Sequence, residues 1–522
     1  VLFRSASGII NINYNNTFDN TAISGFGGKY LGGLSLKSTK AGVGGTDAGI
    51  NFYSLTTNLK GTFRAEGTVS MPYGANINTN FDNGLTNAGD ILFAGASLST
   101  TPNYNFTFTA KSTLGNGGKV DLYSDTTHSP FSALNLTIDT RTTFAGGTAG
   151  DVLLPTTNLI SNNSSSNNLS ITAGQINLYG NINTQSYGTS TAHLSGNISL
   201  TGDIRLATDI TMNTWTANYT LANNLYAGYI TLGGTGVSSL SGNKSLTLNT
   251  SPNSSYTFAS YFSTTGGVNT PFTYYAGAIS LKGNSAGLGL NTVTANANVI
   301  TNTYAGGAYG DITLDGVSST GNQTYSGKNI TLANNASSST TGSEAITSYG
   351  NILLSSDLTA ATTITLTSKA SAANTVSGTG VLTTGTATGS GLKLIGNNTT
   401  YTLSNANGVS NLAAILSGSG SFTFKNASAL TVGSVGGTSG ISTSGVIDVR
   451  TLSGDLNISQ NITTTDASAS AILLAAGDNN LANTSSGGDV KIAAGAALTM
   501  GTGGRGLIYT GSVANTTLNQ QV

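Results

Sequence analysis

The nine residues GGAYGDITL, 306 to 314, have a near copy upstream in GGTAGDVLL, 146 to 154. Each writes a glycine pair, two fillers, Gly-Asp, a branched residue, a filler and Leu. The pattern approaches the calcium β-roll nonapeptide, G-G-x-G-x-D-x-U-x. Ala149 and Tyr309 stand where that repeat needs its third glycine, however, and no second acidic nonapeptide follows either copy. A calcium shell takes about six to eight oxygens, so no structural metal is expected. The motif is instead punctuation: a glycine turn, a small polar residue, then a strand. Gly310 is expected to take a positive φ at the turn.

Shorter versions run along the chain. They are GGLSL at 32, NAGDILF at 87, GGKVDL at 117, GQINL at 174, GNISL at 196, GDIRL at 202, GYITL at 228 and GAISL at 277. GKNITL at 327, GNILL at 350, GSFTF at 420, GVIDV at 445, GDLNI at 454 and GDVKI at 488 continue the series. Each is a short alternating strand led by Gly. Starts such as 277 and 310, 196 and 228, and 327 and 350 fall within the roughly 20 to 45 residues of a solenoid repeat. Tyr-Ala-Gly recurs at Tyr226, Tyr275 and Tyr304, and the step from Tyr226 to Tyr275 has room for two coils. Propeller blades need a tighter period near forty, and a sandwich ends sooner. A parallel β-helix fits.

Composition agrees. Of 522 residues 70 are Gly and 6 Pro, and charged residues make up 7 % against about a quarter in ordinary domains. Glu occurs only as Glu66 and Glu344. Scarce Glu, Lys and Arg beside abundant Thr, Ser, Asn and Gly disfavour long helices and favour strands and turns, so the class is all-β. The chain has no Cys, hence no disulfide, thiolate metal site or cysteine nucleophile. A net charge of -1 gives no basic face for nucleic acid. No apolar run is long enough to span a bilayer as a helix.

The first residue is not Met, and no signal-peptide pattern follows, so an internal piece of a longer protein is expected. Val1 to Ser5, VLFRS, is what the adapter end GTG CTC TTC CGA TCT encodes, and is read as a sequencing artefact. Residues 1–85 form an irregular N-terminal β segment, 86–390 an aromatic-richer β-helix, and 391–522 slimmer aliphatic-cored repeats. Beyond 350 the only aromatic residues are Tyr401, Phe422, Phe424 and Tyr509.

GTSGISTSGVIDVRTLSGDLNISQNITTTDASASAILLAAG, 437 to 477, and GGDVKIAAGAALTMGTGGRGLIYTGSV, 487 to 513, resemble the repeats of large filamentous haemagglutinin-like bacterial exoproteins. The resemblance covers about eighty residues and is compositional elsewhere. It implies a right-handed parallel β-helix shaft, an adhesin on the bacterial surface or outside the cell, and export through an outer-membrane secretion partner. The family's N-terminal secretion domain is not seen in this sequence.

GTGGRG, 501 to 506, satisfies the dinucleotide pattern G-x-G-x-x-G, but LIYTGS follows it, a strand and turn where that motif needs a helix. GNGGKV, 115 to 120, lacks the spacing and the Ser or Thr of a P-loop. His128 and His193 are the only histidines and stand far apart, which argues against zinc. Asp90, Asp151, Asp203, Asp311, Asp455 and Asp489 repeat one slot between Gly and a strand. They are expected to serve the turn by bonding their own backbone. Asp121 with Asp125, or Asp311 with Asp315, are the candidate acid pairs for glycan cleavage. The Tyr-Ala-Gly tyrosines either cap a coil corner, the favoured reading, or offer a sugar platform. Sequons occur at Asn135, Asn168, Asn197 and Asn461.

The expectation is therefore a non-catalytic shaft and adhesive segment without cofactor or metal, making multivalent contacts with surface glycans or a protein receptor. The alternative is a β-helical polysaccharide-degrading enzyme or phage tailspike. Twenty or so coils would stack to about 100 Å, and a chain with few edge charges is expected to associate end to end.

Overall fold

The computed structural model describes residues 2–5, 10–12, 33–38, 49–52, 56–80, 86–123, 130–161, 167–186, 192–214, 224–233, 240–250, 272–282, 290–297, 305–370, 372–480 and 487–519. Among these there is no helix, and nearly every strand pairing is parallel. Strands are short, with alternate residues buried, and each is covered by the equivalent strand one coil away. The fold is an all-β parallel β-helix, in two units.

The first unit comprises Val1–Lys282 and Asn298–Ala308. One face stacks the buried rungs Phe106, Leu136, Leu169, Ile198, Ile230 and Ile279 in register, at first roughly 30 residues per coil. A second stacks Phe63, Ile91, Val120, Val152, Ile176, Ile204 and Leu240. The third runs from Phe131–Ala133 through Thr157–Ser161, Ile182–Ser186 and Ile210–Asn213 to Leu246–Asn249.

Gly-led stretches thus lie on different faces, and a single coil can carry two of them. GNISL and GDIRL lie on one long bent strand, Ile198–Leu206, which turns the corner at Gly202 with φ 137°. Tyr226 pairs directly with Tyr275, and Ile230 with Ile279. The long interval there is accordingly one enlarged coil, not two. Phenylalanines fill the early lumen in a column: Phe52 to Phe63 at 5.6 Å, Phe63 to Phe93 at 5.5 Å, Phe93 to Phe108 at 5.9 Å and Phe106 to Phe131 at 5.2 Å between ring centroids.

The second unit comprises Gly283–Ala297 and Tyr309–Val522. Its coils shorten to roughly 20 residues. Ile312, Ile330, Ile352, Val376, Tyr401, Phe422, Ile447 and Ile472 are successive rungs of one face. Val293, Gln323, Glu344, Ile364, Leu392 and Leu412 form another. Ser319, Ser339, Ala360 and Thr384 line the third. Beyond Asn411–Ser417 that strand's two halves continue as separate rows, through Leu430–Val432 and Ile441–Thr443. Between them a small antiparallel hairpin, Ser434–Val435 with Thr438–Ser439, turns on Gly436 and Gly437, both at positive φ.

Candidate interaction surface

Because alternate residues point inward, the outward ones fall into rows. On the first unit Thr107, Thr137, Ser170, Ser199, Thr231 and Ser280 share one register. Two residues along the strands, Thr109, Asp139, Thr172 and Thr201 share the next. Stacked strands lie about 4.8 Å apart, and alternate residues about 6.6 Å, so the two rows make a regular hydroxyl-rich array. Its one carboxylate is neutralised: Arg141 donates to Asp139 through Nε at 2.9 Å and Nη2 at 2.8 Å. Burial pushes the Asp139 carboxyl up, but the bonds and charge of Arg141 outweigh it and leave the carboxyl below its usual range.

An asparagine ladder borders the array. Asn135 Nδ2 donates to Asn105 Oδ1 at 2.8 Å, Asn168 N–H to Asn135 Oδ1 at 2.6 Å, Asn197 N–H to Asn168 Oδ1 at 2.8 Å, and Tyr229 N–H to Asn197 Oδ1 at 2.8 Å. A second ladder joins Asn158, Asn183, Asn213 and Asn249. Asn461 likewise accepts from Ala497 N–H at 2.9 Å. All four sequon asparagines named above thus tie one coil to the next.

Four of the six aspartates of the Gly-Asp slot, Asp90, Asp311, Asp455 and Asp489, do the same, which corrects for them the expectation that they bond their own turn. Asp90 Oδ1 accepts from Lys119 N–H at 2.7 Å, Asp455 from Asp489 N–H at 2.9 Å and Asp489 from Ser512 N–H at 2.8 Å. Asp311 Oδ1 accepts from both N–H and Nδ2 of Asn329, and Asp315 Oδ1 from the same two groups of Asn335. The Lys491 ammonium beside Asp455 holds that carboxyl below its usual range. Since the acceptor oxygen is what the ladder uses, Asp311→Asn should change stability by less than about 0.5 kcal/mol and Asp311→Ala should cost about 1 kcal/mol. Urea unfolding midpoints decide it, and an Asn variant as weak as the Ala variant would make the charge itself the working feature.

A corner clasp went unseen in the sequence. Thr79, Thr140, Thr184, Thr214 and Thr250, all fully buried, donate through Oγ1 to the carbonyls of Gly89, Gly150, Gly196, Gly228 and Gly277 at 2.6 to 2.7 Å. Two tyrosine pairs also went unseen. Tyr123 stacks on Tyr179 at 3.7 Å and Tyr309 on Tyr349 at 3.9 Å between centroids. Tyr349 N–H bonds Gly327 O and Lys328 N–H bonds Gly310 O, so Gly327 occupies the coil between Tyr309 and Tyr349. Gly327 itself faces inward, where a Cβ would meet Gly310 O and the Ile312 side chain.

Of the remaining candidates, Asp121 is buried, paired with Lys119 at 2.8 Å and bonded by Tyr123 N–H at 3.1 Å. Its proposed companion Asp125 lies outside the described residues, as does His128. His193 lies on Ala192–Leu194, in register with Leu225. Tyr226 and Tyr275 occupy one register position, and the next rung there is Ala308; Tyr304 lies outside the described residues. GTGGRG forms a turn leading into the strand Gly506–Tyr509, and GNGGKV leads into Val120–Asp121. No cluster of three or more metal-binding side chains occurs among the described residues. Comparison with family models, curated proteins and solved structures finds no match to this chain.

Proposed function

We propose that this chain is a shaft and adhesive segment of a secreted or cell-surface bacterial adhesin of the filamentous haemagglutinin-like type. In this reading it is non-catalytic and meets surface glycans, or a protein receptor, through many weak contacts. The observation that carries the reading is the outward hydroxyl array of the first unit, in which the same few polar groups recur coil after coil. A repeated shallow surface suits avidity: each contact is weak, and simultaneous contacts multiply. The aspartates of the ladders fit it too, because each ties its coil to the next through Oδ1.

The test is binding of the chain to immobilised surface polysaccharides at sparse and dense coating. Dense coating should tighten apparent affinity by about 10²-fold, and Thr137→Lys with Ser199→Lys should abolish most of that gain. Equal affinity at both densities would count against a multivalent shaft. Release of new reducing ends from the polysaccharide would favour a glycan-cleaving β-helix instead.

A further inference from the structure

Glu344 is one of two glutamates in the chain and is fully buried, at the first inward position of the strand Glu344–Ser348. Neither of its carboxyl oxygens has a hydrogen-bond partner. Buried polar atoms are nearly always bonded, and an unpaired carboxylate in a dry interior is among the costliest groups a fold can hold.

The neighbouring rungs explain why nothing neutralises it. Below it in register is Gln323, above it Ile364. Gln323 is fully engaged: Nε2 donates to Ser338 O at 2.7 Å, Ser319 Oγ at 3.0 Å and Val317 O at 3.3 Å, while Oε1 accepts from Tyr325 O–H at 2.6 Å. Ser339, on the adjoining face, gives its hydroxyl to Gly321 O at 2.7 Å. Tyr325 is the one titratable group facing Glu344 from the described strands. The inward residues of the next coil are Leu358, Ala360, Ile364 and Leu366. The charged residues of the flanking coils, Asp311, Asp315, Lys328, Asp357 and Lys369, all lie at outward positions. No cation therefore reaches the carboxyl.

We propose that Glu344 is held uncharged in the lumen and makes these coils a pH-sensitive segment, closed while the carboxyl keeps its proton and loosened once it is lost. Burial pushes the Glu344 carboxyl well above its ordinary range, and burial pushes the Tyr325 phenol up as well. The sign follows. With the folded group holding its proton more tightly than the unfolded one, stability is greatest below the ordinary glutamate range near 4.5. It falls as pH rises through the folded value.

Glu344→Gln keeps the shape and removes the titration. Thermal unfolding of wild type and variant across pH 5 to 9 is compared pH by pH, so that shared contributions of other groups cancel. The variant should unfold several degrees higher at the alkaline end, with the gap closing towards pH 5. A constant gap across that range would overturn the proposal. If the variant fails to fold, infrared spectroscopy of the wild-type chain decides alone. A protonated carboxylic acid band should persist at pH 7, when exposed carboxylates are ionised, and its absence would equally overturn the proposal. Hydrogen exchange at residues 344–348 and 363–368 should accelerate with pH beyond its intrinsic rise in wild type.

Discussion

Gly150→Ala should destabilise the first unit by about 3 kcal/mol or more, whereas Gly146→Ala, four residues earlier in the same motif, should cost about 1 kcal/mol. The two glycines are required for different reasons. Gly146 has φ 90° with no atom within 4 Å of where a Cβ would go, so alanine meets only backbone strain. Gly150 does not take a positive φ. A Cβ there would fall closer than 3.0 Å to the carbonyl carbon and oxygen of Gly118, one coil below. Backbone cannot move aside as a side chain can. The coils would have to part, straining both the Val120 to Val152 pairing and the Thr140 clasp on the Gly150 carbonyl. Gly118 stands over Gly89 in the same way, and Gly277 over Gly228 over Gly196. Urea unfolding of the two alanine variants checks this. Equal losses would mean that the stack yields and that conformational freedom, not close approach, selects glycine.

That distinction marks how far the sequence was legible. Strand after glycine, alternating apolar residues and a solenoid repeat are local patterns, and they led to the β-helix. The division into faces was hidden because GNISL and GDIRL lie on one bent strand and merge two rows into one series. Gly310 was expected to need a positive φ, which it does not take; its neighbours in the coil stack, unlike its own dihedral, are distant in sequence. The aspartates were assigned to their own turns for the same reason, since Asp90 bonds Lys119 N–H, 29 residues away. The threonine clasps vary in span, 10 residues at Thr79 and Thr140, 12 at Thr184, 14 at Thr214 and 27 at Thr250. Loops of unequal length leave the corner and erase the period. For the surface, hydroxyl-rich strands were visible, but their alignment into rows depends on register, which only the packed coils fix.

Phe108→Ala should cost the first unit about 3 to 5 kcal/mol, the range for removing a buried aromatic side chain. Phe108 is fully buried, between Ile77 and Ile138 in register. Its ring lies 5.9 Å from Phe93, 6.2 Å from Phe131 and 6.4 Å from Phe106 between centroids. Hydrogen-bonded coils above and below hold the spacing of the rungs, so the walls cannot collapse onto the gap. The loss should therefore include a cavity contribution beyond simple transfer. Phe108→Leu refills part of that space and should recover at least half of the stability. An apolar, dry cavity also admits a small apolar guest. Benzene should raise the unfolding midpoint of the alanine variant while leaving wild type unchanged. An alanine variant that loses less than about 1.5 kcal/mol, with no response to benzene, would mean that the coils close over the missing ring. The phenylalanine column would then be replaceable filling, and the hydrogen-bonded corners would carry the first unit's stability.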